Sequence, residues 1–203
     1  LGTHLITCRL TYGEDSSVWT TRYTTVLKAP EIEPIDDVII AEGEPFIGPV
    51  PVINEGVGDV QWSLVRGPNS LTINTGTGQI SWANPEPDAS GYDITAKVSN
   101  AVGSGQLRFK LFVLEKPVIE PFDDQIIEFS AAYESNEPVL LSGDEPVEWQ
   151  LVSGPAGMDI NSVTGQLTWS AASNEGTNII RIRASNIATY GQMQFTLTVM
   201  KPP

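Results

Sequence analysis

The chain is predicted to fold as tandem all-β sandwiches, each a pair of antiparallel sheets packed face to face, and three observations carry that expectation. Apolar residues alternate with polar ones over many short runs, the period of half-buried strands. Eighteen glycines and fifteen prolines fall largely between those runs, at the spacing of about 8–12 residues at which turns separate short strands. The third observation is an internal repeat. Residues 60–82, VQWSLVRGPNSLTINTGTGQISW, and residues 147–169, VEWQLVSGPAGMDINSVTGQLTW, agree at 12 of 23 positions without a gap, 87 residues apart.

The elements follow in order. Each unit opens on Pro30-Glu31-Ile32-Glu33-Pro34-Ile35-Asp36-Asp37, which recurs as Pro117-Val118-Ile119-Glu120-Pro121-Phe122-Asp123-Asp124. A strand then carries Val60, Trp62 and Leu64, and Gly67-Pro68 ends it, because proline removes a ladder donor while glycine admits the turn. Leu71/Ile73 and Ile80/Trp82 form the next pair, joined through Asn74 and Thr77-Gly78, where a tight loop needs a residue tolerant of positive φ. Ile94/Ala96/Val98 and Leu107/Phe109/Leu111/Val113 complete the unit. The second copy repeats this with Val147/Trp149/Leu151, Met158/Ile160, Leu167/Trp169, Ile180/Ile182/Ala184 and Met193/Phe195/Leu197/Val199. Seven strands in about 86 residues suit a two-sheet sandwich. Trp62, Trp82, Trp149 and Trp169 stand on the inward phase and are expected in the core.

The end of the unit occurs a third time, from Gly2 through Cys8 to Val26. Residues 1–28 are therefore expected to be the last hairpin of a preceding sandwich, followed by domains at 29–115 and 116–203. An isolated hairpin is marginal in water, so its missing strands would come either from a longer polypeptide or from a neighbouring subunit by strand complementation. The start at Leu1 reads as a piece of a longer chain.

The order Trp-x-Leu-Val-x-Gly-Pro, Ile-Asn, Thr-Gly-Gln-(Ile/Leu)-(Ser/Thr)-Trp, then an alternating strand ending in Ser-Asn, resembles the bacterial immunoglobulin-like repeats and the related cadherin-like domains of dystroglycan type. The resemblance covers residues 30–200 and is weakest at 38–58 and 125–143, where Gly43-Glu44-Pro45-Phe46 has no clean counterpart. It implies immunoglobulin-like sandwiches used in tandem on secreted or cell-surface proteins, with no catalytic residue. Cys8 falls in the place of Ala96 and Ile182, on the penultimate strand where many immunoglobulin domains carry half of their inter-sheet disulfide. It is either that half or a small buried thiol filling core volume.

Composition narrows the function. Eleven basic against 25 acidic residues give a net charge of -14, which opposes phosphate backbones and anionic lipid, so nucleic acid is a poor partner. No window approaches the ~20 apolar residues of a membrane-spanning helix. One His and one Cys leave little for acid–base or nucleophilic chemistry, and no paired carboxylates are marked as converging, so an enzyme is not expected. The acids Glu33, Asp36 and Asp37, with their copies Glu120, Asp123 and Asp124, follow each domain junction and are candidate calcium ligands. Their spacing matches neither an EF-hand loop nor the calcium-binding cadherin strings, and a solvated acidic face is the default reading, with no cofactor.

Only Leu114-Glu115-Lys116 separate the last strand of one unit from Pro117 of the next. Strands of nine residues at ~3.3 Å each make two units end to end roughly 60–80 Å long. The expected function is a non-catalytic structural or adhesive spacer in a larger secreted, surface or filament protein. Its partners would be neighbouring domains or identical subunits. The alternative is a carbohydrate-binding module of a secreted enzyme or receptor, which needs exposed aromatics, with Trp19, Tyr133 and Tyr190 as candidates.

Overall fold

The computed structural model describes the backbone of residues 2–12, 16–56 and 58–202, and side chains within 26–56 and 58–202. All regular structure among the described residues is strand. Strands β1 (Gly2–Tyr12) and β2 (Ser16–Val26) form an antiparallel pair in register from Gly2↔Val26 to Tyr12↔Ser16. The face on which Cys8 lies, and hence the expectation about what covers it, falls outside the described side chains, as do Trp19 and His4.

The first repeat contributes β3 (Glu31–Ile32), β4 (Val38–Ala41), β5 (Phe46–Ile47), β6 (Ile53–Glu55), β7 (Gln61–Arg66), β8 (Thr72–Ile73), β9 (Ile80–Trp82), β10 (Asp88–Ser99) and β11 (Ser104–Leu114). Its sheets run β4-β11-β10-β7, β5-β9-β8 and β3-β6. The second contributes β12 (Val118–Ile119), β13 (Gln125–Glu128), β14 (Tyr133–Glu134), β15 (Leu140–Ser142), β16 (Glu148–Ser153), β17 (Met158–Ile160), β18 (Leu167–Trp169), β19 (Gly176–Ser185) and β20 (Tyr190–Met200), in sheets β13-β20-β19-β16, β14-β18-β17 and β12-β15. Each repeat therefore has nine strand segments where seven strands were expected. Proline accounts for the extra pieces: Pro34 and Pro121 break the opening strand, and Pro49, Pro51 and Pro138 interrupt the next, since proline cannot donate to a ladder. Two compact units divide the chain, one of residues 1–38, 45–84 and 92–111, the other of residues 39–44, 85–91 and 112–203.

The strands superpose on the sequence repeat with one change of register. Trp62 corresponds to Trp149 at an offset of 87, whereas Ser99 and Ser185, the ends of β10 and β19, differ by 86. One residue is thus lost between β18 and β19. The segment that sequence comparison left unmatched also finds its place: Phe46 pairs across the sheet with Trp82, and Tyr133 with Trp169. The two aromatics are equivalent, 87 residues apart, although no motif marks them.

Alternation places the core. Ile94, Ala96 and Val98 of β10 and Leu111 and Val113 of β11 are fully buried, as are Ile180, Ile182, Ala184 and Leu197 of β19 and β20. Trp62, Trp82, Trp149 and Trp169 are 2–5% exposed. The loop after β8 closes over Trp62. Asn74 Oδ1 accepts the Gly76 and Thr77 amides at 2.9 and 3.0 Å, and the Trp62 amide donates to Thr75 O at 2.9 Å. Gly78, at φ +78°, brings its backbone so close that a Cβ would stand 2.5 Å from the Trp62 ring. Asn161, Gly165 and Trp149 repeat the arrangement, with Asn161 Oδ1 accepting the Val163 and Thr164 amides. Gln79 and Gln166 carry the loop to the facing strand by donating to Gly48 O and Ser135 O at 3.1 and 3.0 Å.

The two inner tryptophans differ in one bond. Trp169 Nε1 donates to Ala156 O at 3.1 Å, while Trp82 Nε1 has no partner and its ring meets Tyr92 edge-on at 5.0 Å. Trp169→Ala should cost about 3–5 kcal/mol. Trp169→Phe should cost about 1 kcal/mol more than Trp82→Phe, because only the former also breaks a hydrogen bond. Denaturant titration of the two single variants checks the order, and the reverse order would show that the indole bond contributes nothing.

Candidate functional site

The junction acids have a structural task. β13 runs parallel to β20 from Gln125↔Leu197 to Glu128↔Met200. One step before that ladder begins, Asp124 Oδ1 accepts the Thr196 amide at 2.6 Å. Asp37 does the same for the Lys110 amide, also at 2.6 Å. A carboxylate supplies the acceptor that the incoming backbone has not yet reached. Asp36, Asp123, Glu33 and Glu120 are exposed, and the amides of the two glutamates donate to Val52 O and Val139 O. Among the described residues no three His, Cys, Asp or Glu side chains converge to hold a metal ion. The candidate calcium ligands are therefore not brought together here, and two of the six are acceptors in a sheet.

Tyr133 is a correction to the carbohydrate candidates. It is 6% exposed and belongs to the core around Trp149 and Trp169, because its strand pairs with β18 and turns it inward like Phe46. Its hydroxyl has no partner at hydrogen-bonding distance; burial pushes the phenol up, opposed by the Gln125 side chain. Tyr190 is half-exposed, with the Arg183 guanidinium 4.3 Å from its ring centroid. These two tyrosines do not form an exposed pair, and the Trp19 side chain lies outside the described ones.

A site that the sequence reading missed surrounds the start of each repeat. Asn186 follows β19; its Oδ1 accepts the Ala188 and Thr189 amides at 3.0 and 2.9 Å, shaping the turn into β20. Its Nδ2 donates to Glu115 O at 2.9 Å and Asp144 O at 3.3 Å. Asp144 Oδ2 in turn accepts the Glu115 amide at 2.6 Å, and Glu42 Oε1 accepts the Lys116 amide at 3.0 Å. Pro117 is fully buried, and a Cβ on Gly191 would overlap its carbonyl oxygen. The step Glu115-Lys116-Pro117 is thus held through two amides, one carbonyl and the buried Pro117.

The first repeat holds Lys28-Ala29-Pro30 by the corresponding asparagine and glycine. Asn100 Nδ2 donates to Lys28 O at 2.6 Å and Gly56 O at 3.0 Å, and its Oδ1 accepts the Val102 and Gly103 amides. A Cβ on Gly105 would overlap Pro30 O. Lys28 also pairs with Glu55 at 2.6 Å, which raises the lysine and lowers the glutamate from their ordinary values. The signal was available: Pro30/Pro117, Asn100/Asn186 and Gly105/Gly191 recur at 87, 86 and 86 residues. Its meaning needed the fold, because each proline lies about 70 residues from the asparagine and glycine that meet it.

Two expectations follow. Asp124→Ala should cost about 1–2 kcal/mol through the lost charged acceptor, equally with and without calcium, and millimolar calcium should move the melting temperature no more than magnesium does. A calcium-specific rise of several degrees would mean that the folded state binds the ion. Tyr133→Phe should change stability at pH 7 by less than about 1 kcal/mol, since no bond is lost. A phenol raised on folding contributes stability that is complete below its ordinary value of about 10 and vanishes as pH rises through the raised value. The variant should therefore lose less stability than the parent between pH 9 and 11 in urea titrations; equal losses would show that Tyr133 is not the group involved.

No family model matches the chain, and no curated protein matches it. Solved structures do. An I-band fragment of titin is 16% identical, with 87% of this chain and 68% of that chain covered and a TM-score of 0.58. Extracellular domains 3–5 of Drosophila OTK are 12% identical over 98% of this chain and 71% of that chain, TM-score 0.58. The N-terminal eight Ig domains of Down Syndrome Cell Adhesion Molecule are 19% identical over 94% of this chain and 26% of that chain, TM-score 0.58. At such identities the likeness is one of fold and carries no narrower family. The chain is an all-β protein of tandem immunoglobulin-like domains.

Proposed function

We propose that the chain is a non-catalytic structural or adhesive segment of a larger extracellular, cell-surface or filament protein, in which successive immunoglobulin-like domains set a distance and present loops. The observation that carries this reading is the repeated clasp on Lys28-Ala29-Pro30 and on Glu115-Lys116-Pro117. The connection Glu115-Lys116-Pro117, bonded through its two amides and a carbonyl and packed on Gly191, has lost most of the backbone freedom that would make it a hinge. That is a cost in chain entropy with no benefit to a single domain, and a benefit to an array whose spacing matters. Fold neighbours named as a titin I-band fragment and a cell adhesion molecule are consistent with such a use. The partners in this reading are neighbouring domains of the same polypeptide or identical subunits, and the acidic surface keeps arrays soluble.

Small-angle scattering and ¹⁵N relaxation of the 203-residue chain test it. The two repeats should tumble with one correlation time, and Asn186→Ala combined with Asp144→Ala should separate their correlation times and broaden the distance distribution while each domain keeps its own dispersed spectrum. Independent tumbling in the parent chain would overturn the spacer reading.

A further inference from the structure

All four basic residues of the first repeat lie on one sheet face. Inward positions of β10 and β11 are Ile94, Ala96, Val98, Leu107, Phe109 and Leu111, so the outward phase holds Asp93, Thr95 and Lys97 on β10 and Gln106, Arg108 and Lys110 on β11. At the bulge in β7, Arg66 pairs with Thr95 and joins that face. Arg66, Lys97, Arg108 and Lys110 are the only cations between residues 30 and 115, against twelve acids. Asp93 and Asp37 are the acids among the residues bordering the cleft on this face. Asp93 is paired with Arg66 at 2.9 Å and with Lys110 at 3.2 Å, and Asp37 is engaged by the Lys110 amide. Between these side chains runs an open cleft of about 670 Å³, bordered by Arg66, Thr95, Gln106, Arg108 and Lys110.

The second repeat serves as an internal control. Offsets of 87 and 86 put Ser153, Ile179, Gln194 and Thr196 where the first has Arg66, Asp93, Arg108 and Lys110, while Arg181 and Arg183 stand in the places of Thr95 and Lys97, so the second repeat keeps two cations on this face but not the three that surround Asp93. The same sandwich forms without them, and exposed ion pairs add little to stability. The cluster is therefore not a requirement of the fold. We propose that this face of the first repeat binds a carboxylated or sulfated sugar chain, an inference that goes beyond the spacer reading. Guanidinium groups bind carboxylate and sulfate in bidentate fashion, and the Gln106 amide and Thr95 hydroxyl suit sugar hydroxyls. A folded protein partner fits less well: Val65 is the one exposed large apolar residue bordering the cleft, whereas protein interfaces are built around an apolar core. Nucleic acid fits less well too, because Phe109, the one aromatic bordering the cleft, is buried and offers no base a stacking surface.

The test is equilibrium binding of the 203-residue chain to fluorescent polygalacturonate and dextran sulfate oligomers at 50 mM NaCl, with neutral dextran and poly-glutamate as comparison probes. The triple variant Arg66→Ser, Arg108→Gln, Lys110→Thr carries the residues of the second repeat and is expected to fold, as circular dichroism would verify. Binding to at least one anionic glycan should weaken tenfold or more in that variant, should fall steeply by 500 mM NaCl, and should tighten several-fold in Asp93→Asn, which removes the anion at the centre of the face. A merely structural role for Asp93 would not tighten binding. Glycan affinity unchanged in the triple variant, binding no tighter than to neutral dextran, or equal affinity for poly-glutamate would each overturn the proposal. None of these bears on the stiffness of the junction.

Discussion

In each repeat the two sheets are locked by one contact, the seating of a tryptophan on the backbone of a hairpin glycine. Trp62 belongs to the four-stranded sheet, whereas the loop of Asn74, Thr77 and Gly78 extends from strands of the facing sheet. The ring needs a flat backbone surface, so the loop residue must lack a Cβ. The same residue needs positive φ to close the turn, which glycine tolerates without strain. Asn74 holds the loop shut from within, and Gln79 ties it to Gly48. A large apolar area is thereby enclosed by a motif only a few residues long, and this is why the motif stands out in both copies.

Comparing the copies separates scaffold from ornament. Positions that meet a geometric demand keep their residue type: the tryptophans, the hairpin glycines, the ladder-capping Asp37 and Asp124, and the clasping Asn100 and Asn186. Positions that face solvent on the same strands drift freely, as Arg66 and Ser153 or Lys110 and Thr196 do. Buried positions drift within limits of volume. Phe46 becomes Tyr133, at the cost of enclosing a hydroxyl without a partner, and Trp82 gives up the indole bond that Trp169 makes. Among the described side chains each copy thus tolerates one unsatisfied polar atom in a core of aliphatic and aromatic residues, an expense of a size that a sandwich with so much buried apolar surface can absorb.

The acidity of the repeats has two components. Some carboxylates act on the backbone: Asp37, Asp124, Asp144 and Glu42 each accept an amide at a point where the ladder or the linker would otherwise leave it without an acceptor. Others, such as Asp36, Asp123, Glu33 and Glu120, stand in water. Sequence position does not distinguish the groups, since Asp36 and Asp37 are adjacent and repeat together. The difference is one of register, set in the second repeat when β13 docks in parallel beside β20.

By itself the sequence determined the fold class, the repeat and the inward phase of the long strands, because those depend on local periodicity and on turn chemistry within a few residues. It read Asn74 and Gly78 correctly as loop residues for the same reason. Tertiary structure alone decided what depends on residues distant in the chain. Tyr133 lies two strands away from the motif it packs against, so nothing local marked it as core rather than ligand platform. The clasp on Pro117 draws on residues 42, 144, 186 and 191, and the basic cleft on three different strands. Side chains brought together by strand order leave no pattern in the linear sequence until the sheets that order them have formed.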